Sequence, residues 1–119
     1  MCTIEVAFAE KLTQQERYFH GPVIGAVGDN AGGYAALTLA PPDRGVLTVE
    51  YKVNFLDPAR GERLVARGEV VTAGRRLFVC KAEVSVVDEE RVCAAVLQTV
   101  SLSPVGTANP SNPQRRYEL

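Results

Sequence analysis

Tyr18-Phe19-His20-Gly21-Pro22-Val23-Ile24-Gly25-Ala26-Val27-Gly28-Asp29-Asn30-Ala31-Gly32-Gly33-Tyr34 is the stretch around which the chain is organised. It holds the only histidine, His20, and then a Gly-Pro pair suited to start a helix, since proline in the first turn gives up an amide that would have no intrahelical partner. A single carboxylate, Asp29, follows nine positions after His20. The segment predicts a helix from Pro22 to about Leu39, ended by Pro41-Pro42-Asp43-Arg44-Gly45. At about 100° per residue, Ile24, Val27, Ala31, Ala35 and Thr38 form one stripe, and Asp29 lies about 140° round from Ile24. The carboxylate is therefore expected to point away from the sheet. Gly25, Gly28, Gly32 and Gly33 each cost about 1 kcal/mol against alanine in a helix. Four of them predict close approach of another backbone, from the sheet or from a partner subunit.

On either side of the helix the pattern is that of strands. Cys2 to Phe8 alternates with period two, and Ala9 to Phe19 reads as a loop in which Thr13-Gln14-Gln15-Glu16 has capping-box spacing. Val46 to Leu56 alternates strictly, with Leu47, Val49, Tyr51, Val53 and Phe55 on one face and Thr48, Glu50, Lys52 and Asn54 on the other. Asp57-Pro58-Ala59-Arg60-Gly61 breaks that strand. A strand from Leu64 to Thr72 presents Leu64, Ala66, Gly68 and Val70 on a common face, and strands at Leu77 to Val87 and Arg91 to Leu102 follow turns at Ala73-Gly74-Arg75-Arg76 and Asp88-Glu89-Glu90. Three hairpin-like links predict a meander. The fold class is α+β: one helix wrapped by a curved five-stranded antiparallel sheet, over residues 1–103. From Pro104 the chain turns Pro-rich and polar, as expected of a flexible tail or an arm lying on a neighbour. A sheet with one helix leaves edges and a face to cover, which predicts association.

Bulk composition narrows the partners. With 119 residues, 46% of them apolar, the chain has the size of one domain. Thirteen basic against fourteen acidic residues give no field for nucleic acid. No apolar run approaches the roughly 18 residues that span a bilayer, and the N-terminus lacks a signal-peptide pattern, so the expectation is a cytoplasmic protein. Cys2, Cys80 and Cys93 have no C-x-x-C spacing and one histidine cannot complete a metal site with them, so neither metal nor cofactor is expected.

A helix opening at His20-Gly21 offers free amides and a positive dipole end, which can hold an oxygen that becomes negative during acyl transfer. A carboxylate such as Asp29, brought to that mouth by a neighbouring subunit's helix, can then act as general base or nucleophile on the carbonyl carbon. His20-Gly21 with Asp29, the run from Asp29 to Ala36, the Asn54-Phe55-Leu56-Asp57-Pro58-Ala59 segment, and Ala66-Arg67-Gly68 followed by Gly74-Arg75 together resemble the hotdog-fold acyl-CoA thioesterases of the phenylacetate-pathway type. The resemblance covers Cys2 to Leu102. It implies a hotdog fold, a double-hotdog dimer usually paired into a tetramer, and metal-free hydrolysis of an acyl-CoA in which coenzyme A is part of the substrate. It assigns the carbonyl-polarising amide to Gly21, the carboxylate of the opposite subunit to Asp29, and the hydroxyl that assists the attacking water to Thr48.

Three positions depart from that pattern. Pro22 replaces a second glycine and removes one amide donor. Gln14 stands where related members often carry asparagine. Thr48 lies on the polar face of its strand, so either a bulge re-aims it or that face lines the site. His20 is expected to orient the loop, or only to pack. Asn30, Tyr34, Asn54, Phe55, Arg75 and Arg76 are the candidate substrate-binding residues, the two aromatics as pocket floor and the arginines, with Arg60 and Arg67 near in sequence, toward coenzyme A phosphates. Competing readings are a non-catalytic acyl-CoA-binding or sensing module on the same fold, a hotdog hydratase or dehydratase, and a structural oligomer without ligand.

Overall fold

A computed structural model describes residues 1–7, 18–61, 63–87 and 91–104. The elements are β1 (Cys2–Ala7), α1 (Gly21–Leu39), β2 (Arg44–Phe55), β3 (Arg63–Ala73), β4 (Leu77–Val86) and β5 (Val92–Pro104). Each lies within two residues of its sequence expectation. The five strands make one antiparallel sheet in the order β1-β3-β4-β5-β2, with α1 packed on one face. The Gln14 region, the turn at 88–90 and residues 105–119 lie outside the described part. Pro104, at the expected start of the tail, is the last residue of β5 and pairs with Arg44.

The sheet order corrects the meander. β3, β4 and β5 are joined as successive neighbours, but β2 does not pair with β3; it crosses over to the far edge and pairs with β5. The Asp57–Gly61 break is the start of that crossover. Amides of Leu56 and Asp57 both bond to the Cys93 carbonyl, at 2.8 and 3.2 Å, which holds the exit of β2 against β5 before the chain leaves.

The core lies between α1 and the inner faces of β3, β4 and β5. Ile24, Val27 and Ala31 of the helix meet Leu64, Ala66, Val84 and Val96, and a smaller cluster joins Ala36 to Phe78, Cys80 and Val100. Gly68 explains the tightest contact. A Cβ there would strike the Ala31 carbonyl and the Gly32 amide, so the helix backbone rests directly on β3. The helix glycines themselves meet side chains and not the expected backbone, since a Cβ at Gly28 or Gly32 would strike Val96 or Gln98; the backbone approach is made through Gly68 of the sheet. Gly33 is different, because no described residue lies within 4 Å of where its Cβ would be.

The buried arc of α1 is wider than its apolar stripe. Besides Ile24, Val27, Ala31 and Ala35 it includes Gly25, Gly28, Gly32 and Ala36. On a helical projection these four extend the arc to about 120° beyond Ile24 on the side of Asp29. Thr38, assigned to the stripe by periodicity, is exposed, and its hydroxyl donates to the Ala35 carbonyl at 2.6 Å. Asp29 consequently sits at the rim of the buried arc and its carboxylate turns toward the sheet, not away from it. Among the described residues no helix is long and apolar enough to cross a membrane.

Candidate active site

Asp29 is half-buried and is met by two strands. The Thr48 hydroxyl of β2 donates to Asp29 Oδ1 at 2.7 Å, and Gln98 Nε2 of β5 donates to the same oxygen at 2.7 Å. Gln98 Nε2 also lies 3.1 Å from the Asp29 carbonyl oxygen. No described residue donates to Oδ2. One carboxylate oxygen accepts two hydrogen bonds and the other accepts none from the described residues.

Thr48 reaches Asp29 because β2 carries a bulge. Thr48 pairs with Val100 but Glu50 pairs with Thr99, so Val49 is the extra residue. Before the bulge Thr48 faces the helix; after it Tyr51, Val53 and Phe55 do, the first two against Gly25 and the last against Gly21. Of the two explanations left open by the alternation, the bulge is the one found. Asn54 falls on the opposite face, away from the helix, and is exposed.

Gln98 is the residue that sequence reading passed over. It is fully buried, in the inward row Ala94, Val96, Gln98, Val100 of β5. A lone amide in such a row was the available signal. Its Oε1 has no hydrogen-bond partner among the described residues, a state that costs about 1–3 kcal/mol for a buried polar atom.

The other end of the helix has a different character. His20 is the N-cap residue with extended backbone, and its carbonyl accepts from the amides of Val23 and Ile24 at 3.0 and 3.1 Å. Pro22 has no amide, so the Gly21 N–H is the one donor of the first turn left without a partner among the described residues. The His20 side chain makes no capping hydrogen bond. Gly21 lines a groove of about 710 Å³ with Phe19, Ile24, Phe55 and Pro58. Phe55, 59% exposed, stands over Gly21. Arg60 stacks over the Tyr18 ring, 5.9 Å from its centroid, at this same end.

Asp29 lines a second groove, of about 500 Å³, with Asn30, Tyr34, Leu47 and Thr48. Gly21 and Asp29 are eight residues apart on one helix, so about 12 Å separates them along its axis. A single carbonyl cannot meet both within one chain. Arg75 and Arg76 are exposed in the β3–β4 hairpin and line neither groove. The hairpin does share an end of the sheet with the Asp29 groove, since Leu77 pairs with Ser101 and Gly45 with Ser103. Among the described residues no three His, Cys, Asp or Glu side chains converge as a metal site would require.

Residues 17–93 match the family model described as the thioesterase superfamily. The chain belongs to the thioesterase superfamily. A thioesterase family protein from Silicibacter pomeroyi is 41% identical, with 87% of this chain and 79% of that one superposed at a TM-score of 0.80. A Bacillus halodurans protein whose crystal structure is with CoA shares the fold at 18% identity and a TM-score of 0.81, over 85% of this chain and 66% of that one. A Saccharolobus solfataricus protein named as an esterase is 38% identical over 93 residues, 77% of this chain and 60% of that relative's length. The helix packed against a five-stranded antiparallel sheet is the hotdog fold of the thioesterase superfamily. The superfamily match spans Gly21, Asp29 and Thr48 and ends before Gln98.

Proposed function

We propose that this superfamily member is an acyl-CoA thioesterase of the phenylacetate-pathway type, cytoplasmic and homo-oligomeric, with each active site shared between two subunits. The observation that carries the proposal is the division of labour along α1: at Gly21 an amide, and about 12 Å away a carboxylate with one oxygen held, the amide and the other oxygen both without a partner among the described residues. Two antiparallel copies of the helix would bring the Gly21 end of one chain to the Asp29 end of the other. The thioester carbonyl would then accept a hydrogen bond from Gly21 N–H as its oxygen gains charge. Asp29 Oδ2 of the opposite chain takes a proton from a water whose oxygen attacks the carbonyl carbon, or attacks that carbon itself to give a mixed anhydride that water then hydrolyses; in both, the C–S bond breaks and the departing thiolate takes up a proton. Either route ends in free acid and the thiol of coenzyme A.

The Thr48 hydroxyl gives its hydrogen to Oδ1, and its lone pairs remain able to accept a hydrogen from the attacking water. His20 shapes the loop through its carbonyl, which pins the first helical turn. Gln14 is proposed to complete the loop side of the site. Tyr34 and Asn30 contact substrate in the Asp29 groove and Phe55 does so at the Gly21 mouth, with Asn54 beside it in sequence on the outer face. Arg75 and Arg76 are assigned to coenzyme A phosphates, and an aromatic or medium-chain acyl group is the expected cargo. The Bacillus halodurans structure with CoA is a precedent on the same fold.

The test is free-thiol release from a panel of acyl-CoA esters by wild type and Asp29→Asn. Hydrolysis by wild type that drops about a hundredfold or more in the variant, about 2.7 kcal/mol of transition-state stabilisation, supports the proposal and identifies the acyl class. Binding of the esters without thiol release by either protein would show a binding module instead. Single turnover in ¹⁸O-water tests the nucleophilic role of Asp29, because label enters the Asp29 carboxylate only when Asp29 itself attacks and water then opens the anhydride at the aspartyl carbon.

A further inference from the structure

We propose that Gln98 is a positioning residue for the Asp29 carboxylate, and that Gly32 is small in order to admit it. The inference rests on the hydrolase reading above and adds a member that the superfamily match does not reach. Gln98 Nε2 spans the backbone carbonyl and Oδ1 of the same aspartate, at 3.1 and 2.7 Å. Both contacted atoms are oxygen acceptors, so the amide must present its NH₂ to Asp29 and turn Oε1 the other way. Oε1 then occupies the space a Cβ at residue 32 would need, and there it meets no donor.

Packing does not account for this arrangement. The neighbours Val96 and Val100 on the same row are aliphatic, and methionine would fill the volume without burying an unpaired oxygen. What the amide supplies is a second donor on the oxygen that Thr48 already holds. With two donors from two strands on Oδ1, rotation of the carboxylate is blocked and Oδ2 is the atom presented for reaction. Gly32 serves the same end from the helix side, whereas Gly33 beside it faces open space.

Gln98→Met, Gly32→Ala, Gln98→Ala and the Gly32→Ala/Gln98→Ala pair test this as full-length chains. In Gln98→Met, kcat should fall about tenfold with KM changed less than about threefold, and the melting temperature should hold or rise. Gly32→Ala should lower kcat about tenfold alone and add nothing in the Gln98→Ala background, because its target is gone. In wild type, one glutamine side-chain amide should be protected from hydrogen exchange in ¹⁵N spectra, disappear in Gln98→Met and shift in Asp29→Ala. A kcat within twofold of wild type in Gln98→Met overturns the inference, as does a loss of kcat that tracks a melting temperature lowered by about 10 °C. If wild type hydrolyses no ester, the hydrolase reading fails by itself. The exchange measurement then decides the tether: fast exchange of the Gln98 amide overturns it, and protection upholds it.

Discussion

The two ends of α1 are built on opposite plans. At Asp29 three elements converge, and two side chains from two strands fix one oxygen of one carboxylate. At Gly21 the donor is the backbone itself, held by the first turn of the helix and flanked by an exposed phenylalanine. A carboxylate on a rotatable side chain needs other groups to orient it, whereas an amide in a helix is oriented already. The Asp29 carboxylate is therefore oriented by groups of its own chain, and the Gly21 amide stands beside an open groove.

The largest effect should come from removing the open donor. Gly21→Pro deletes the amide where His20 is already extended, as a residue before proline must be; because residue 21 is helical and itself precedes Pro22, the melting temperature is read alongside kcat. We expect kcat to fall by about 10²–10³. Gly21→Ala keeps the amide and asks only that the Phe55 ring, 3.1 Å from the new Cβ, move slightly into solvent, so it should lose far less. Equal losses in the two variants would remove Gly21 from the chemistry. Mixing Gly21→Pro with Asp29→Asn chains, each inactive alone, should restore about a quarter of wild-type activity in a dimer, because half the dimers are mixed and each has one intact site. No recovery after subunit exchange would overturn the pairing of Gly21 and Asp29 in one shared site.

Gly68 supports both ends equally, by seating the middle of the helix on β3. Gly68→Ala should cost about 1–3 kcal/mol of stability, since the obstacle is helix backbone and not a side chain that can yield. Denaturant unfolding would measure it. Thr48→Val keeps the shape of the strand and removes one of the two donors to Asp29; kcat should fall about tenfold, roughly 1.4 kcal/mol, with KM little changed. The smallest effect concerns the thiols. Cys93 packs in the cluster beneath the Gly21 end and Cys80 beneath the C-terminal half of the helix, and both are fully buried. Alkylation should modify Cys2 well before either Cys93 or Cys80. Burial also pushes the Cys80 thiol up, so the folded chain keeps that proton to higher pH than the unfolded chain. Its contribution to stability is present below the ordinary thiol value and is lost as pH rises above about 8.5 through the raised one. Chemical denaturation at pH 7 and 9.5, with Cys80→Ala as reference, would show the slope.

Strand positions were legible because alternation is a local property, and each strand lies within two residues of its expected span. The position of β2 in the sheet was not, since a break of five residues reads like a hairpin whether the chain turns back or crosses to the far edge. Asp29 and Thr48 were each singled out from sequence, yet their contact was hidden twice. The glycines of α1 add no hydrophobicity to a projection, although they widen the buried arc toward Asp29. The apolar alternation of β2 runs through Val49 without a gap, so nothing in it marks the bulge.

The sequence alone determined that one helix opens at His20-Gly21-Pro22, that it carries a single carboxylate among small residues, and that five strands surround it. Those are consequences of backbone chemistry and of hydrophobic period, which act over a few residues. Only the tertiary structure decided which face Asp29 turns to, which strand brings Thr48, and that Gln98 reaches across 69 positions in sequence to hold the same oxygen. Such contacts depend on the order of strands and on one inserted residue, and neither changes the local pattern from which a sequence is read.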